Sequence, residues 1–129
     1  MSRSAGAAAL LVLVSAALTC RESTGPVAGM LKVDLTTPNS GGDGAILLTV
    51  TGPAVLTSAT PGTGLRLFAQ PLGTTTRFAL TGTIAQGTIL TIGVPNLAQA
   101  SQYVATVQSV AARSYHLRAL ASYSLTVSQ

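Results

Sequence analysis

The sequence predicts an all-β domain, a sandwich of about seven or eight antiparallel strands, behind an amino-terminal signal helix. Three observations carry this. Residues 5–18, AGAAALLVLVSAAL, contain no charge and are bracketed by Arg3 on one side and Arg21 and Glu22 on the other. From Leu31 onward, apolar and polar side chains alternate in short segments cut by Gly, Pro and Asn. No stretch of that region holds helical spacing for the roughly 11 residues that a helix requires. The division is therefore a signal peptide over 1–19, a tether over 20–30 and a sandwich over 31–129.

The apolar run is short for a permanent membrane span, which makes such an anchor the weaker reading. Fourteen residues span about 21 Å as a helix, against a hydrocarbon core of roughly 30 Å. A soluble core helix would show polar residues at helical spacing, whereas this run is apolar on every side. A charged amino-terminal flank, an apolar centre and small residues at its end are the layout of an export signal. The tether, RESTGPVAGM over 21–30, shows neither strand nor helix periodicity and carries turn-forming Gly and Pro.

Within the domain, Leu31, Val33 and Leu35 form the inward face of a first strand, with Lys32, Asp34 and Thr36 on its wet face. A turn-rich loop over 37–44 leads to Ile46, Leu48 and Val50. A short segment near Val55 and Leu56 precedes a second loop, Thr60 to Gly64. Leu65, Leu67 and Ala69 come next, closed by Pro71, and then Phe78, Leu80 and Ile84. The connection Ala85-Gln86-Gly87 between two β-rich runs reads as a hairpin turn into Leu90, Ile92 and Val94. Residues 102–110, then Tyr115 with Leu117, and Tyr123 with Leu125 and Val127, supply the remaining strands.

Charge is scarce, 8% of 129 residues against about 25% in ordinary soluble domains. The formal net charge of +4 reflects seven basic and three acidic residues, not a dense cationic face, so no nucleic-acid partner is expected. With 4% aromatics and no Trp, an aromatic platform for strands or sugars is disfavoured. The groups available for catalysis are His116, Glu22, Asp34 and Asp43. A hydrolase built on His116 is a minor alternative, because no Gly-x-Ser-x-Gly elbow accompanies it. The expectation is a non-enzymatic protein without cofactor. Zinc has too few ligands, and Gly62-Thr63-Gly64 lacks the rest of a phosphate loop. Asp34, Asn39 and Asp43 are weak calcium candidates, since a Gly-rich loop also needs Asn and Asp simply to turn. Arg113 and Arg118, with Arg66 and Arg77, would form a cationic patch only if a turn separated the first two, because five residues apart on one strand they face opposite ways.

Two resemblances add to this. Ala17-Leu18-Thr19-Cys20 resembles the lipobox of bacterial lipoproteins, with Ala17 where Leu is commonest and Thr19 where Gly, Ala or Ser is commonest. The resemblance implies a diacylglyceryl group on the Cys20 thiol and removal of residues 1–19. Ordinary cleavage after Ser15-Ala16-Ala17, releasing a secreted protein, and an uncleaved anchor are the alternatives. Arg21 in place of an inner-membrane Asp signal points, by the same resemblance, to the outer membrane or cell surface. Ala100-Ser-Gln-Tyr103-Val-Ala-Thr-Val resembles the penultimate strand of bacterial immunoglobulin-like and cohesin-like domains, which implies that Tyr103 ties a corner to the backbone; simple core packing of Tyr103 is the alternative. As a whole the chain is similar to small predicted bacterial lipoproteins, which adds no chemistry. The functional expectation is a lipid-anchored envelope sandwich with a binding or structural role toward a protein or glycan. A secreted cohesin-like assembly or adhesion module is the alternative. The charge-free runs Ala45–Val50 and Thr88–Val94 would be adhesive wherever they met an exposed sheet edge.

Overall fold

Alternating burial runs along residues 29–36, 43–51 and 104–112, whereas residues 89–94 are buried almost throughout. The computed structural model describes residues 25–129; the signal segment, Cys20 and residues 21–24 of the tether lie outside the described residues. Eight strands follow in order: β1 (Gly29–Thr36), β2 (Asp43–Thr51), β3 (Ser58–Pro61), β4 (Arg66–Leu72), β5 (Thr75–Ile84), β6 (Gly87–Val94), β7 (Val104–Ala112) and β8 (Ser124–Ser128). A 3₁₀ segment, Leu97–Gln102, joins β6 to β7, and its Asn96 cap accepts a hydrogen bond from the Ala98 amide at 3.0 Å. The first strand begins at Gly29, two residues inside the expected tether.

Two four-stranded antiparallel sheets face each other, in the orders β3-β6-β1-β8 and β4-β5-β2-β7. The pairs β1·β8, β2·β7, β3·β6 and β4·β5 are nested, first strand with last and second with next to last. This is the path of one long hairpin rolled over a core. In the immunoglobulin order the first two strands share a sheet; here β1 and β2 lie in opposite sheets. Only β4 to β5 connects neighbours directly within one sheet. Its two-residue turn has Gly73 at φ +69° in the first central position, as a type II′ turn requires. Pro71 lies inside β4, where an edge strand tolerates its missing N–H.

Leu31, Val33, Leu35, Ile46, Leu48, Val50, Phe78, Leu80, Ile84, Leu90, Ile92 and Val94 are all buried between the sheets. Burial of each such side chain is worth about 1.5–3 kcal/mol, and the inward faces read from alternation are these residues.

Two expectations are corrected. The turn Ala85-Gln86-Gly87 is not a hairpin, because β5 and β6 belong to different sheets. Alternation reports which side chains face the core and is the same for both outcomes. The crossing is instead pinned to the β1–β2 loop: the Gln86 amide donates to Ser40 Oγ at 2.9 Å, and Gln86 Oε1 accepts from the Thr37 amide at 3.3 Å. The second correction concerns Tyr115 and Leu117, which form no inward face and are 92% and 75% exposed. The chain reverses there, with Tyr115 at φ +69° and the Ala112 amide donating to the His116 carbonyl at 2.8 Å.

Candidate functional site

The most strongly built polar cluster sits at the end of the sandwich formed by the β1–β2 loop, the start of β2 and the β7–β8 loop. Gly41 at φ +80° lets the first loop turn sharply. The Gly42 amide donates to the Asn39 carbonyl at 2.8 Å, and the Asn39 amide to Thr37 Oγ1 at 2.9 Å. This delivers Asp43 to the first position of β2, opposite Ile84 and Ala112, where it is fully buried. A buried carboxylate must be paired, and both oxygens are engaged. Oδ1 accepts from Arg118 Nε at 2.7 Å and Oδ2 from the Tyr123 hydroxyl at 2.5 Å. The Tyr123 oxygen in turn accepts from Asn39 Nδ2 at 2.9 Å. The hydrogen bond to Asp43 holds the Arg118 guanidinium above its ordinary pKa, against the opposing effect of burial.

This geometry separates the calcium candidates. Asn39 and Asp43 are brought together, but Asn39 presents its amide nitrogen and Asp43 has spent its oxygens on Arg118 and Tyr123. Asp34 lies on the other sheet, paired with Thr88 and Thr126 in register, and its Oδ1 accepts from Thr88 Oγ1 at 2.5 Å. Among the described residues no group of three or more His, Cys, Asp or Glu could hold a metal ion. The cluster is a lock between loops. Sequence reasoning missed it because Arg118 and Tyr123 stand 75 and 80 residues from Asp43, with no local signature.

Tyr103 is 4% exposed, and its hydroxyl has no hydrogen-bond partner. Its ring covers Gly52, where a Cβ would fall 2.2 Å from the ring. It is a core group whose hydroxyl makes no bond to the backbone at the corner. The turn that a shared Arg113 and Arg118 patch needs does exist, yet Arg118 is held by Asp43 and Arg113 Nη2 donates to Thr83 Oγ1 at 2.5 Å. His116 is exposed on the same turn, and among the described residues its ring bonds to no carboxylate or serine.

The two outer faces differ in chemistry. On the β1 sheet the outward residues include Lys32, Asp34, Thr88, Thr91, Thr126 and Ser128. On the β2 sheet Phe68, Ala79 and Leu47 stand in one register row, with Arg66 and Arg77 in the flanking rows. Phe68 is 58% and Leu47 48% exposed. They line an open depression of about 450 Å³ edged by Gln70, Arg77 and Gln108. Comparison with protein-family models, with curated proteins and with solved structures gives no match.

Proposed function

We propose that the protein is a non-enzymatic component of a bacterial cell envelope, held by a lipid on Cys20 at the outer membrane or cell surface, where its sandwich binds a partner or serves a structural role. The observation that carries this reading is the charge-free run 5–18 ending at Cys20, with strand β1 starting nine residues later. A lone cysteine has no internal disulfide partner, and acylation gives it a role. The displayed domain is a small eight-stranded β-sandwich, the coarse architecture that immunoglobulin-like and cohesin-like domains share. The non-enzymatic reading is supported by the engagement of the described carboxylates with Arg118, Tyr123 and Thr88 and by the isolation of His116. Intact mass of the membrane-extracted protein tests the anchor: a diacylglyceryl group on a chain beginning at Cys20 is expected, and an unmodified terminus refutes it.

The second reading, a secreted assembly or adhesion module, is favoured by the open apolar row Phe68-Ala79-Leu47 on the β2 sheet. It requires a chain released after Ala17 and found in the medium, so the same mass measurement separates the two. A small hydrolase would need His116, and His116→Ala would abolish its turnover.

A further inference from the structure

The register of the strands sorts the exposed apolar and charged residues to opposite ends of the sandwich. At the end where the chain enters, Gly29 pairs with Val94, and Thr51 lies between Thr75 and Val104. Segments 25–30, 51–57, 72–75 and 94–104 make up this end, and not one Asp, Glu, Lys, Arg or His occurs in them. It nevertheless exposes Val27, Met30, Val55, Leu72 and Val104, each 49–63% accessible. The opposite end carries Asp43, Arg66, Arg113, His116 and Arg118. One cation stands on each outer face two residues behind the apolar end, Lys32 behind Met30 and Arg77 behind Thr75, a setback of about 7 Å.

We propose that this uncharged end docks on an anionic lipid surface, with its aliphatic side chains in the interface and Lys32 and Arg77 facing headgroup phosphates. The inference rests on the lipid-anchor reading above. Two arguments identify lipid as the occupant. The leash is short: five residue steps from Cys20 to Gly25 span at most roughly 18 Å, so an acylated Cys20 keeps this end, and not the far end, beside the bilayer. The charge pattern also fits, since apolar groups at the tip with cations set just behind them match an acyl boundary beneath a layer of phosphates. Among the described residues no acidic side chain lies nearer the tip than Asp34, the next outward residue after Lys32 on β1.

The test uses the full, membrane-extracted protein in vesicles containing phosphatidylglycerol. Single variants Leu72→Cys, Val104→Cys and Leu117→Cys carry an environment-sensitive fluorophore, and lipids bearing a nitroxide at the headgroup act as quencher. Quenching several-fold stronger at positions 72 and 104 than at 117 is expected, and it should fall in a background of Lys32→Glu with Arg77→Glu. Equal quenching at the two ends, in protein whose mass confirms an acylated Cys20, overturns the docking and leaves the anchor standing. An unmodified Cys20 in protein that does not sediment with vesicles overturns both. A blue-shifted but unquenched label at 72, with a doubled particle mass, overturns the lipid assignment in favour of a second copy of the chain.

Discussion

Tyr123→Phe tests the buried lock with little disturbance of packing. The ring is 8% exposed and keeps its place in the core, so the substitution deletes only the hydroxyl. That oxygen donates to Asp43 Oδ2 at 2.5 Å and accepts from Asn39 Nδ2 at 2.9 Å. A bond to a charged group is worth about 1.5–3 kcal/mol, and a fully buried Oδ2 gains no water in exchange. Asn39 is half-buried and can rehydrate, adding roughly 0–1 kcal/mol. The expected loss is about 2–4 kcal/mol, or roughly 8–16 °C in Tm for a domain of this size. Urea unfolding followed by circular dichroism measures it, with an unchanged m-value as the sign that the folded state is intact. A loss below about 0.5 kcal/mol would show that Asp43 does not depend on this donor.

The same substitution at Tyr103 should act with the opposite sign, because its hydroxyl is buried without a partner; Tyr103→Phe is expected to raise stability by about 1 kcal/mol or more, and a loss would reveal a hidden partner. Gly52→Ala places a methyl 2.2 Å from the Tyr103 ring and should cost about 1–3 kcal/mol as overpacking, with partial recovery in combination with Tyr103→Leu; equal losses in the single and double variants would refute the clash. The Arg118 pKa is raised by Asp43, so the ion pair's contribution is complete below the ordinary arginine range and is lost only as pH rises through the still higher folded value. The Tm difference between the native protein and Arg118→Met should therefore be the same at about pH 7 and about pH 10, and a difference that shrinks at the higher pH refutes the assignment. Strand β7 is a nine-residue edge without charge or proline, so Thr106→Lys should reduce any self-association at micromolar concentration measured by light scattering, and unchanged association would place the contact elsewhere.

The inward faces were legible because a period of two is imposed by strand geometry itself, which is why Leu31, Ile46, Phe78 and Leu90 could be assigned to the core from their neighbours alone. Partnership between strands was not. Ile84 and Leu90 flank a short Gly-containing connection whether the chain folds back beside itself or crosses to the other sheet. The deciding contacts, Gln86 with Ser40 and Thr37, are 46 and 49 residues apart. Tyr115 and Leu117 imitated a strand through composition, since nothing local announced that an aromatic residue would take a positive φ. Asp43 was visible as an unusual acid in a Gly-rich loop, a feature shared by turns, cation sites and buried ion pairs. Only the return of the chain 75 residues later, with Arg118 and Tyr123, distinguishes them.

Nested pairing also accounts for how a chain so poor in charge protects its adhesive segments. The runs Ala45–Val50 and Thr88–Val94 fall in β2 and β6, and each of these strands has a partner on both sides. Their backbone groups are therefore consumed within the sheets, and the risk carried by an apolar, uncharged strand passes to the edges. Three of the four edges are blunted by their own sequence: β3 has four residues ending in Pro61, β4 contains Pro71, and β8 has five residues. The fourth, β7, has a register shift opposite Leu47 and Leu48 that breaks its ladder, as bulged edges do. Charge is thus not needed to guard the strands, and the few charges present are free to lie where the outer faces and the far end use them.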